Sequence, residues 1–145
     1  MLEITKSIEW DMGHRIPKHS HKCRNPHGHR YRLELTLSGA VNTERGSSQE
    51  GMVHDFGDIK THMEETIYQR LDHCFLAAED DPIFAHIAHE HPDLKIILVP
   101  FIPTAENILV WCYQALSENF PGHLRITKLR LHETPTSFAE YTPSR

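Results

Sequence analysis

Two stretches of strict apolar alternation constrain this chain more than any other feature. From Leu2 to His14 the even-numbered positions Leu2, Ile4, Ile8, Trp10 and Met12 are apolar, interrupted only by Lys6, and the next residue in phase is His14. From His27 to Gly39 the odd-numbered positions Tyr31, Leu33, Leu35 and Leu37 are apolar, with Arg32, Glu34, Thr36 and Ser38 between them. His27 and His29 open that same face. A period of two places alternate side chains on one face of a strand, so two long, half-buried strands are predicted over 2–14 and 27–39. If they pair antiparallel, the end of the first lies beside the start of the second, and His14, His27 and His29 meet at one end of a sheet.

Burying three imidazoles without partners would be costly. Three neutral imidazoles at one corner suit a divalent metal, and Zn²⁺ held by three histidines keeps an open position for water or substrate. The chain has 13 histidines, so a His-x-His pair alone would carry little weight. What singles out these three is their agreement with the apolar phase of two separate strands. His86, His89 and His91 form a second cluster, but Glu90-His91-Pro92 is polar and turn-like, and that cluster reads as a surface loop.

At 145 residues the chain fits a single domain, 1–145, with room for a real core. A net charge of −5 and the lack of a basic stripe argue against a nucleic-acid partner. No apolar run approaches the roughly 20 residues that span a bilayer, and the N-terminus lacks a basic-then-apolar signal; a cytoplasmic protein with no membrane partner is expected. Cys23, Cys74 and Cys112 are odd in number and without CxxC spacing, which points away from a disulfide framework and from a thiolate zinc site.

Asp55 is placed to cap a helix carrying Phe56, Ile59, Met63, Ile67 and Leu71 at helical spacing and ending near Asp72-His73. The pattern from 77 to 103 is poor, with a short helical turn after Pro82 and a short strand over 95–99. Thr104 caps a second helix whose inner face is Ile108, Leu109, Cys112 and Leu116, and Pro121-Gly122 stops it. Two last strands, about 124–133 and 137–142, complete an α+β domain of order ββααββ, a four-stranded antiparallel sheet with two helices on one face. Such a sheet leaves edges to be covered, and a homo-oligomer is expected.

Three further features bear chemistry. Cys23 sits in the loop just before His27, where a neighbouring cation would favour the thiolate. Asp72-His73 supplies a carboxylate and an imidazole, the parts of an oriented acid/base pair, provided the helix has ended there, since adjacent helical residues diverge by about 100°. Glu133 falls in phase with Leu129 and Leu131 at the end of an apolar face, and a carboxylate there needs a donor or ligand. A paired N–H edge such as that of a pterin or guanine would suit it.

Taken together, Cys23-x-x-x-His27-Gly28-His29 with His14 upstream, Val53-His54-Asp55-Phe56, Leu71-Asp72-His73, Pro103-Thr104-Ala105-Glu106-Asn107 and Leu131-His132-Glu133-Thr134 resemble the 6-pyruvoyltetrahydropterin synthase and 6-carboxytetrahydropterin synthase family, in the right order and over almost the whole chain. The resemblance implies a tunnelling fold, subunits assembled as trimers or hexamers, and active sites at subunit interfaces. Three residues between the cysteine and His-Gly-His resemble the carboxy branch, which serves queuosine and 7-deazaguanine biosynthesis; the pyruvoyl branch typically has five. The implied reaction converts 7,8-dihydroneopterin triphosphate to 6-carboxy-5,6,7,8-tetrahydropterin, acetaldehyde and triphosphate. The implied roles are zinc on His14, His27 and His29, proton transfer by Cys23 and by His73 oriented by Asp72, and pterin binding by Glu133 with Thr104 at the pocket wall. Arg15, Lys18 and Arg24 are nearby cations for the triphosphate. The rival readings are 6-pyruvoyltetrahydropterin synthase activity and a noncatalytic zinc- or pterin-binding module. Asp11-Met12-Gly13 before His14, Arg30 after His-Gly-His, and Cys74 with Ala77-Ala78 depart from the family pattern.

Overall fold

The computed structural model describes residues 2–144. The two alternating stretches form β1 (Leu2–His14) and β2 (His27–Gly39), with the bounds the alternation predicts. They pair antiparallel along their whole length, Ile8 opposite Leu33, Trp10 opposite Tyr31, Met12 opposite His29 and His14 opposite His27. Cross-strand neighbours share a face, so the apolar phases of both strands fall on one side. Trp10, Tyr31, Leu33, Leu35 and Leu37 are among the largest fully buried side chains.

That face is covered by helices. The Asp55 carboxylate accepts from the Gly57 and Asp58 amides at 2.6 and 3.2 Å and starts α1 (Phe56–Met63), which continues through a π-helical stretch, Glu64–Tyr68, into α2 (Gln69–Leu71). Ile59, Met63, Ile67 and Leu71 are all buried at a strict spacing of four. On an α-helix such a row drifts by about 40° per step; the wider π turn in its middle brings the row back over the sheet.

From 75 onward the architecture departs from the sequence expectation. The sheet has six strands, not four, and is mixed rather than antiparallel. β3 (Phe75–Ala78) runs parallel to the end of β1, and β4 (Ile96–Val99) runs parallel to β3. Between them lies α3 (Pro82–Glu90), nine residues rather than a single turn. α4 (Ala105–Ser117) follows a Thr104 cap, then β5 (Arg125–Thr134) and β6 (Ser137–Tyr141), giving the order β4-β3-β1-β2-β5-β6. Among the described residues there are therefore three helical units rather than two. The π-interrupted helix and α4 share the core face, as expected, packing Ile108, Leu109, Cys112 and Leu116 into the same cluster as β1 and β2. The third, α3, packs on the other side: its Phe84 stacks on Phe75 at 3.9 Å between ring centroids, and the Phe75 ring lies where a Gly13 side chain would point. β3 escaped notice because Phe75-Leu76-Ala77-Ala78 is covered on both faces, and such strands read as unbroken apolar runs without alternation.

The start of α3 is tied to the first loop by a desolvated ion pair. Arg15 donates from Nε and Nη2 to Asp81 at 2.6 and 2.9 Å, and Asp81 also caps α3 through the Ile83 and Phe84 amides. Burial pushes the Asp81 carboxyl up, but the hydrogen bonds and charge of Arg15 outweigh it and hold the group below its ordinary 3.8. The unfolded chain therefore binds the extra proton, so this stabilisation is present above 3.8 and is lost as pH falls through the lower folded value. Asp81→Ala, which strands the Arg15 guanidinium, is expected to cost about 3–5 kcal/mol at neutral pH. Urea unfolding of both proteins should show that gap narrowing as pH drops below 3.8.

Candidate metal centre and adjoining cavity

His14 ends β1 and His27 begins β2, so the pairing that builds the core also builds the site. The ligand atoms of His14, His27 and His29 lie within 4.8 Å of one another, with His14 buried and the other two half-buried. The intervening Gly28 sits opposite Gly13, and a side chain at 28 would meet the Met12 carbonyl oxygen at 3.2 Å. The tight approach of the two strand ends is thus built into His-Gly-His.

The three rings are prepared to accept a cation. His14 Nδ1–H donates to the Pro103 carbonyl and His27 Nδ1–H to the Asn25 carbonyl, both at 2.8 Å. A carbonyl can only accept, so both Nδ1 atoms carry a proton and Nε2 is the nitrogen left to bind a metal, the tautomer that a backbone carbonyl imposes on a metal-bound histidine. The His29 Nε2 is buried and has no hydrogen-bond partner. Burial pushes the His14 and His29 imidazoles below their ordinary 6.5, outweighing the Pro103 hydrogen bond of His14 and the pull of Glu133 on both. Three clustered imidazoles, two with Nδ1 committed to backbone carbonyls and one with an unsatisfied buried nitrogen, are the donor set of a metal centre, and these three residues could hold one.

Glu133 completes the corner. Its carboxylate oxygens stand 3.9 Å from His14 Nε2 and 3.8 Å from His29 Nε2. A cavity of about 260 Å³ opens beside it, walled by His14, Cys23, Thr104 and Glu133, with His19 and Phe138 on its rim. Cys23 lies in a single turn, Lys22–Arg24, and is the accessible thiol; Cys74 and Cys112 are buried, and burial pushes each thiol up to about 12. Thr104 Oγ1 accepts from the Asn107 amide at 3.3 Å, so the residue that starts α4 also faces the cavity.

Asp72 and His73 are assembled but elsewhere. α2 ends at Leu71, Asp72 is extended, and His73 takes a left-handed φ of 59°, a strained geometry that the surroundings must hold. They do so through the His73 amide on the Asp11 carbonyl at 2.8 Å, the Asp11 amide on Asp72 at 3.2 Å, and Lys95 Nζ on the Asp72 and Gln69 carbonyls. His73 Nδ1 then meets Asp72 Oδ2 at 2.8 Å. Partial burial raises the Asp72 carboxyl, but the His73, Asp11 and Tyr68 hydrogen bonds outweigh it and hold the group down. His73 lines a separate concavity with Asp11, Gly13, Gly28, His29 and Arg30, and neither it nor Asp72 is in the walls of the one that holds Cys23 and Glu133.

Arg15, a triphosphate cation on the sequence reading, is committed to Asp81; Lys18 and Arg24 are left in the loop. The carbonyls of Pro103 and Asn25, which set the tautomers, had no signature in the sequence, because a backbone oxygen is common to every residue. His19, which also lines the cavity, carries no signal in the sequence, being one of two histidines in a polar loop.

Residues 3–144 match the 6-pyruvoyl tetrahydropterin synthase family. A 6-carboxy-5,6,7,8-tetrahydropterin synthase from Haemophilus influenzae is 35% identical over 143 residues, covering 97% of this chain and 99% of that protein. One from Rickettsia conorii is 37% identical over 145 residues with the same coverage. Among solved structures, 6-pyruvoyl tetrahydropterin synthase from Caenorhabditis elegans superposes with a TM-score of 0.70 at 21% identity, over 99% of this chain and 96% of that one. The six-stranded sheet and its helices are a tunnelling fold. No helix among the described residues is long and apolar enough to cross a membrane.

Proposed function

The chain belongs to the 6-pyruvoyl tetrahydropterin synthase family, and on that premise we propose that it is a zinc-dependent 6-carboxy-5,6,7,8-tetrahydropterin synthase. It takes 7,8-dihydroneopterin triphosphate and water to 6-carboxy-5,6,7,8-tetrahydropterin, acetaldehyde and triphosphate, as a cytoplasmic step of queuosine biosynthesis. The observation that carries the reading is the convergence of His14, His27 and His29 beside Glu133, at a corner where His14 and Glu133 also wall the cavity that Cys23 lines. His14, His27 and His29 would hold the zinc, which when bound supplies a Lewis acid for the side-chain oxygens of the substrate.

The chain's own groups do the rest. Cys23 lines the cavity with His14 and, as thiolate, takes a proton from the substrate side chain. Glu133 accepts the amino and ring N–H edge of the pterin through two parallel bonds, with Thr104 on the adjoining wall. His73, held by Asp72 through Nδ1, presents its other nitrogen as the second proton-transfer group. Because His73 and Cys23 line different concavities of one protomer, the working site joins Cys23 of one subunit with His73 of another, which is what an oligomer with interfacial sites requires.

Incubation with 7,8-dihydroneopterin triphosphate and zinc, followed by mass spectrometry and an acetaldehyde assay, is expected to give the 6-carboxy product with one acetaldehyde per turnover. The 6-pyruvoyl product without acetaldehyde would move the chain to the other branch. No turnover despite bound zinc would leave a binding module.

A further inference from the structure

The loop that carries Cys23 is tied at its far end to His27, whose Nδ1 donates to the Asn25 carbonyl. At its near end the contacts run through Arg15 and Ile16, the residues after His14. The guanidinium spends Nε and Nη2 on Asp81, whose side chain is fully buried, while its third nitrogen, Nη1, donates to the Arg24 carbonyl at 3.2 Å. One residue on, the Ile16 amide donates to the Cys23 carbonyl at 2.8 Å. Asp81 itself cannot move freely, because it caps α3 and because Phe84 of that helix is stacked on Phe75 and lies under the guanidinium at 5.8 Å. A rigid bidentate fork is a device that a lysine, with a single rotating ammonium, cannot reproduce.

We infer that Arg15 and Asp81 are positioning residues: a clamp through which α3 fixes the Cys23 turn against His14. This rests on the proposed role of Cys23. The two residues touch no substrate and act through the Ile16–Cys23 and Arg15–Arg24 backbone contacts. The sulfur must stand at a set distance from the metal corner for proton transfer, and a displacement of about 1 Å in such a group can cost about 10²-fold in rate.

The test compares the zinc-loaded full chain with Arg15→Lys and Asp81→Asn. The asparagine keeps an oxygen for the α3 cap and loses the charge, so it carries the test if the lysine variant does not fold. Zinc stoichiometry should be unchanged, since the triad is intact. Amide exchange of Ile16 should lose protection while Trp10 and Met12 keep theirs. Alkylation by iodoacetamide, which reads Cys23 because Cys74 and Cys112 are buried, should change rate. Turnover should fall about 10²-fold in kcat with KM little altered. Ile16 exchange and Cys23 alkylation indistinguishable from wild type would overturn the clamp. So would losses of kcat and zinc content that both follow the folded fraction, with KM unchanged, which mark a pair that only stabilises the fold. If Cys23 has no catalytic role, Cys23→Ala turns over like wild type while the exchange and alkylation changes persist; the clamp then stands and the role of the thiol falls.

Discussion

His29→Ala is expected to weaken zinc binding by more than about 10²-fold and to remove turnover at ordinary zinc concentrations. Losing only an outer-shell partner of a ligand histidine costs about 10–100-fold in affinity, and here a ligand itself is lost. His29 is the informative choice among the three. Its Nε2 is buried without a hydrogen-bond partner, so its removal breaks no hydrogen bond through that nitrogen. Both rings stand edge-on to Tyr31, but His14 is also buried and donates to Pro103, so its replacement confuses metal loss with a lost buried hydrogen bond. Zinc content after dialysis and competition with a chromogenic chelator measure the affinity; a thermal melt of the metal-free proteins checks that the fold is unharmed. A wild-type protein that keeps full turnover after the metal has been stripped would remove the basis of the proposed chemistry.

Cys23→Ala should lower kcat by about 10²–10⁴-fold, the usual worth of a positioned acid or base, while zinc content stays at the wild-type level. His73→Ala should do the same from the other side of the reaction. The separation of the two residues in one protomer makes their combination decisive. When Cys23→Ala and His73→Ala chains are unfolded together and reassembled, some mixed interfaces carry both intact residues, and activity should return above that of either variant alone. Mixtures that stay inactive although mixed oligomers form would place both residues in the same subunit. That result would contradict the arrangement proposed for the site.

The strand pair and the triad were legible in the sequence because both follow from one local rule. A side chain's face on a strand is set by its position in the alternation, so the phase of Trp10 and Met12 carried forward to His14, and that of Leu33 and Tyr31 carried back to His29 and His27. The caps at Asp55 and Thr104 were legible for a similar reason, since a short polar side chain before a helical row marks where the first amides need acceptors. β3 and β4 were harder. The first has no alternation to read, and their parallel pairing with β1 depends on a crossover through α3 that the poor pattern of 82–90 did not announce.

What the sequence determined by itself was therefore direction: which residues face the core, which histidines share an end of the sheet, and where the helices begin. Only the tertiary structure decided which groups those side chains meet. The Pro103 carbonyl that sets the His14 tautomer comes from 89 residues away, the Asp81 that grips Arg15 from 66, and Asp72-His73 is turned towards a different concavity from Cys23. The physical reason is that side-chain direction is a property of local backbone geometry and leaves a periodic trace, whereas a backbone carbonyl or a distant carboxylate becomes a partner only once the chain between has closed, and nothing in its residue type records which partner it will find.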